Sequence, residues 1–109
     1  MKDKISMPLI EAVLQYKSED VYPMHTPGHK GGRGMQRLLR QELGGSVQMD
    51  VSLMSELDDI HEPETYIKEA QELAAQTYGS DACFWAVNGT SQAIHAMLLT
   101  ALNPGEKLL

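Results

Sequence analysis

Apolar positions recur along this chain with two different periods, and the change of period divides it. From Pro8 to Lys17, Leu9, Ile10, Val13 and Tyr16 fall at helical spacing, and Pro8 suits a first helical position, where no N–H is needed. A polar break at Ser18 to Asp20 is followed by a short extended stretch, Val21 to Met24. His25 to Gly34 holds Pro27, Gly28, Gly31, Gly32 and Gly34, which force a loop. Met35 to Leu43 reads as a second helix stopped by Gly44 and Gly45. Ser46 to Glu62 has no clean period and reads as an irregular connection with one helical turn.

The second half is more regular. Glu64 to Tyr78 puts Tyr66, Ile67, Ala70, Leu73, Ala74 and Thr77 on one helical face, with Pro63 opening the helix and Gly79 closing it. The apolar run Ala82 to Val87 predicts a buried strand over Ala82 to Asn88, and Thr90 to Leu102 a helix stopped by Asn103-Pro104-Gly105. Lys107-Leu108-Leu109 reads as the start of a further strand. Strand, helix and strand with short joints make a right-handed βαβ unit, so the fold class expected is α/β. Parallel strands need neighbours and cover on both faces, and only two are visible. An open edge of this kind predicts association or poor solubility.

Composition narrows the function classes. At 109 residues the chain is at most one small domain, and a net charge of −6 argues against nucleic acid or an anionic membrane as the main partner. The single cysteine, Cys83, excludes an internal disulfide framework, and its apolar neighbours predict a buried, inert thiol. The polar start Met1-Lys2-Asp3-Lys4 and the absence of an apolar span of membrane length predict a cytoplasmic protein.

The candidate chemistry centres on Val87-Asn88-Gly89-Thr90-Ser91-Gln92, where the expected strand turns into a helix. The first turn of a helix has unpartnered N–H groups and a dipole that favours negative charge. Gly89 permits close backbone approach, and the hydroxyls of Thr90 and Ser91 add donors, so the turn reads as a phosphate cup. The local pattern is also that of a good turn and N-cap with no ligand. It is neither a Walker A loop nor the Gly-x-Gly-x-x-Gly dinucleotide fingerprint.

Other residues compete for attention. Thr26 to Gly34 is a second candidate loop, with a flexible surface loop as the alternative. His25 and His29 are separated by Pro27-Gly28, which forbids the helix that would align them, and no metal site is expected. Asp50, Glu56, Asp58 and Asp59 fit either recognition of a cationic group or a solvated acidic connection. His61 reads as a surface residue. Ser91 and His95 stand at i and i+4 without a third orienting group, so no nucleophile–base pair is assigned.

Taken in order, the blocks resemble the pyridoxal-phosphate-dependent Orn/Lys/Arg decarboxylases in their shorter form. The residues carrying the resemblance begin with Pro8-Leu9 and Met24-His25-Thr26-Pro27-Gly28-His29-Lys30-Gly31-Gly32. Asp50-Val51-Ser52, Glu56-Leu57-Asp58-Asp59-Ile60-His61 and Pro63-Glu64 come next. Ala70 to Ala75, Tyr78-Gly79-Ser80-Asp81, Phe84, Val87 to Ser91 and Asn103 to Lys107 complete the series. Each block alone is weak; their joint order is specific.

The resemblance implies the start of the large domain of the aspartate-aminotransferase-type fold, residues 46–109, preceded by an N-terminal arm, residues 1–45. The arm would pack on a partner subunit to make a homo-oligomer. Gly89, Thr90 and Ser91 would take the phosphate of pyridoxal 5'-phosphate, and the substrate would be a small basic amino acid, arginine, lysine or ornithine. The family's reaction removes the α-carboxylate with the cofactor ring as electron sink. The family's Schiff-base lysine falls beyond the position of Leu109, and none of Lys2, Lys4, Lys17, Lys30, Lys68 or Lys107 matches it. No catalytic residue is therefore assigned, and the chain reads as the front portion of a decarboxylase, inactive alone. In the family Thr65 is more often Gly. The alternative is a non-catalytic short protein that associates with a full-length relative or binds a phosphate ligand.

Overall fold

Four α-helices form close to where the apolar periodicity places them in the computed structural model, which describes residues 6–108. Met1 to Lys4, with Lys2 and Lys4, and the last residue of the expected C-terminal strand, Leu109, lie outside the described residues. Helix α1 is Pro8–Ser18, with Pro8 at its start, Glu11 in its first turn and Lys17 in its last, as the helix dipole favours. Helix α2 is Arg37–Leu43 and runs into a 3₁₀ segment, Gly44–Met49, which supplies the single turn expected in the irregular connection.

Helix α3, Tyr66–Tyr78, begins later than Pro63. It ends at Gly79 in the left-handed conformation, and the Ser80 N–H donates back to the Ala75 carbonyl at 3.0 Å. Helix α4 is Gly89–Ala101. No helix among the described residues is long and apolar enough to cross a membrane.

The core lies in the first three quarters of the chain. α1 packs on α3 and on the Gly44–Met49 segment, which also holds α2 and a short 3₁₀ turn, Lys30–Gly32. Ala12, Val47, Leu57, Ile67 and Ala75 are the buried hydrophobic residues. Gly32 is also buried, at φ +85°, and a Cβ there would stand 3.4 Å from Val47 Cγ1. A side chain at this position would meet both the wrong backbone and the wall of the core.

Among the described residues the strands expected of the βαβ reading do not form. Among the described residues the only β pairing is an isolated antiparallel bridge between Met54 and Asp58. Residues 82–88 are not a strand, and they are not buried: Phe84 is 84% exposed and Val87 60%. Cys83 is half-buried rather than buried. The reason is the one that defines a parallel strand. Its N–H and C=O groups need a neighbour, and its apolar faces need cover. The intended neighbour begins at Lys107, and neither Lys107 nor Leu108 is in a strand.

Beyond Ala75 no described residue is buried, and α4 exposes Ile94, Met97 and Leu99. The radius of gyration, 18.3 Å, reflects this, since a compact chain of this length would have about 13 Å.

Candidate functional site

Two regions hold the residues that the sequence singles out: the start of α4, and the acidic connection with the glycine-rich loop.

At the start of α4, Gly89 has φ +78°, and nothing lies within 4 Å of where its Cβ would be. The turn needs a residue without a Cβ for its backbone, and the space above it is open. No side chain caps the first turn of α4. Gln92 Oε1 instead accepts from the Asn88 N–H at 2.8 Å, which pins the joint from below. Thr90 and Ser91 are exposed, and neither hydroxyl makes a hydrogen bond among the described residues. The turn therefore combines unengaged backbone donors, two free hydroxyls and a permissive glycine, an arrangement able to hold a tetrahedral anion. Ser91 and His95 share α4 without a hydrogen bond between them among the described residues.

The acidic connection does specific work. The Asp58 carboxylate accepts four backbone N–H groups: Asp59 at 2.9 Å and Glu64 at 3.0 Å on Oδ1, Thr65 and Ile67 at 2.9 Å on Oδ2. Ile67 is the second residue of α3, so Asp58 caps this helix from outside it, while Thr65 makes no side-chain cap. Burial opposes ionisation of this carboxyl, but the four N–H groups outweigh it and hold its pKa well below the usual carboxylate range. Asp59 Oδ1 accepts the His61 N–H at 2.8 Å. Asp58, Asp59, Glu62 and Glu64 line an open cleft with Leu53, Met54 and Ser55.

Sequence reasoning missed the cap at Asp58 because capping patterns are local and Asp58 lies eight residues before Tyr66. Its left-handed backbone, φ +83°, turns the chain so that a distant carboxylate faces the helix.

Asp50 is tied to the glycine-rich loop through His29, whose Nε2 lies 3.1 Å from Asp50 Oδ2. His29 Nδ1 is buried without a hydrogen-bond partner among the described residues. His25 stands 3.5 Å from Tyr16 Oη through its Nε2. Lys30 Nζ donates to the His25 carbonyl at 3.1 Å, and Arg33 forms an ion pair with Asp20 at 2.8 Å. The Thr26 to Gly34 loop is thus held at three points, through His29, Lys30 and Arg33. The two histidines are engaged by different neighbours.

Comparison with known proteins covers nearly the whole chain. The profile of the family described as "Orn/Lys/Arg decarboxylase, major domain" matches residues 7–109. An arginine decarboxylase of Halalkalibacterium halodurans is 41% identical over 103 residues, which cover 94% of this chain and 21% of that protein. An arginine decarboxylase of Bacillus subtilis is 39% identical with the same coverage of both. The constitutive lysine decarboxylase of Escherichia coli is 32% identical over 114 residues, covering 98% of this chain and 16% of that protein. The chain spans about a fifth of the length of the curated relatives it matches. No solved structure matches.

Proposed function

The chain belongs to the Orn/Lys/Arg decarboxylase family, and on that premise we propose that it supplies the cofactor-phosphate cup of a pyridoxal-phosphate-dependent decarboxylase of a basic amino acid. The observation that carries the reading is the start of α4. Gly89 is left-handed and open above, no side chain caps the turn, and the Thr90 and Ser91 hydroxyls have no partner among the described residues. These are residues that fit a phosphate. The helix dipole and first-turn N–H groups neutralise its charge, and the two hydroxyls fix its orientation.

Bound at such a cup, pyridoxal phosphate supplies an electron sink for the charge left when a carboxylate departs. The task of this chain in that chemistry is to hold and orient. None of its residues is assigned a proton transfer, because the family's lysine falls beyond the position of Leu109. The 109 residues alone are accordingly expected to release no carbon dioxide from arginine, lysine or ornithine. A homo-oligomer built through residues 1–45, and a location in the cytoplasm, belong to the same reading.

Trp85, the one tryptophan, precedes Gly89 by four residues and reports binding there through its emission. Pyridoxal phosphate should quench it saturably and compete with inorganic phosphate. Pyridoxal, which lacks the phosphate, should bind at least about tenfold more weakly, since hydrogen bonds to a charged group contribute about 1.5–3 kcal/mol each. Equal binding of the two would remove the cup.

A second reading is favoured by the exposed apolar side chains of Phe84, Val87, Met97 and Leu99. A non-catalytic chain that docks on a full-length relative would use such a surface. Adding the chain to a full-length decarboxylase of the family and measuring the assembly mass separates the two.

A further inference from the structure

The glycine-rich loop plays no part in the proposed cup, yet it closes a small pocket lined by more cationic than anionic side chains. Lys17 comes from the last turn of α1, Lys30 and Arg33 from the loop, and Gln48 from the Gly44–Met49 segment, with Tyr16 and Asp20 beside them. Three cations face one carboxylate, in a chain whose net charge is −6. We propose that this pocket binds a small oxyanion, the phosphate or carboxylate group of a ligand. The proposal does not rest on the function of the Gly89–Ser91 turn.

Two of the three cations are held in place before any ligand arrives. Arg33 is pinned by Asp20 at 2.8 Å and lies 5.0 Å from the Tyr22 ring centroid, which leaves further guanidinium donors unused. Lys30 is half-buried and fixed by its bond to the His25 carbonyl. Lys17 makes no ion pair among the described residues, and its ammonium lies beside Gly45, 3.6 Å from where a Cβ would stand.

Two ammonium groups and a guanidinium around one space repel one another, and an anion relieves that repulsion. Lys30 holds φ +52°, a left-handed conformation unfavourable for a residue with a Cβ, at the position where its side chain lines the pocket. The space, about 50 Å³, is several times the 10–15 Å³ that one water requires and suits a group of phosphate or carboxylate size.

The test is a titration of the full chain by two-dimensional NMR, with inorganic phosphate in one arm, acetate in the other and sodium chloride at matched ionic strength as reference. The expected result is saturable shifts at the amides of Lys30, Gly31, Arg33 and Gln48 in at least one arm. Saturation by phosphate alone identifies a tetrahedral anion as the ligand chemistry, and saturation by acetate a carboxylate. Lys17→Gln, and Lys30→Asn, which keeps a residue tolerant of the left-handed backbone, should each weaken the apparent affinity about tenfold. Lys68→Gln, on the exposed side of α3, should not. Shifts no larger than those in chloride overturn the proposal, and this arm needs only the unmodified chain. Saturation confined to Gly89, Thr90 and Ser91 also overturns it while leaving the cup intact. Affinity unchanged in folded Lys17→Gln and Lys30→Asn would do the same.

Discussion

Replacing Asp58 tests whether one carboxylate outside α3 holds that helix in place. Its two oxygens accept four backbone N–H groups, one of them in the first turn of α3. α3 in turn carries two of the buried hydrophobic residues, Ile67 and Ala75, and packs on α1. Losing an N-cap costs about 0.5–2 kcal/mol. The upper end applies here because the same group also closes the preceding turn. Asp58→Asn keeps one acceptor oxygen and tolerates φ +83°, so it should cost about 1 kcal/mol. Asp58→Ala loses every acceptor and adds the penalty of a left-handed alanine, for about 3 kcal/mol in all.

The pH dependence follows from the direction of the shift. The folded carboxyl titrates below the unfolded one. Its contribution is therefore present in full above the unfolded value near pH 4 and is lost as pH falls toward the folded value. Urea unfolding followed by circular dichroism should show the gap between the unmodified chain and Asp58→Asn at pH 7, shrinking below about pH 4. Amide exchange at Ile67 should quicken in both variants. Equal stability of the unmodified chain and Asp58→Asn at pH 7, or a gap that does not narrow in acid, refutes the reasoning.

Three further outcomes follow from the same structure. Thr90→Ala with Ser91→Ala should weaken binding of pyridoxal phosphate by about 2–4 kcal/mol, read by Trp85 emission, with less than additive effects of the single changes. Gly32→Ala, at φ +85° and against Val47, should cost about 1–3 kcal/mol by urea unfolding, whereas Gly28→Ala, with nothing within 4 Å, should stay within about 0.5 kcal/mol. Ile67→Ala should cost about 2–4 kcal/mol, while Leu99→Glu, at a position 82% exposed, should leave unfolding unchanged and reduce concentration-dependent association measured by light scattering.

What the sequence determined by itself is largely local. Helical spacing of Leu9, Ile10, Val13 and Tyr16, and of Tyr66, Ile67, Ala70 and Leu73, is enough to place α1 and α3, because an amphipathic stripe and its stop signals need no distant partner. The turn at Gly89 was legible for the same reason, and the order of the blocks was enough to name the family. The tertiary structure alone decided what depends on partners far along the chain. Residues 82–88 carry the composition of a strand but pair with nothing among the described residues, since a strand exists only with a neighbour. Asp58 looked like one acid among several, and only the path of the backbone turned it toward the N–H groups of Thr65 and Ile67. The cationic pocket is likewise a product of packing. Lys17, Lys30 and Arg33 are scattered in sequence and come together because α1 and the glycine-rich loop both pack on the Gly44–Met49 segment.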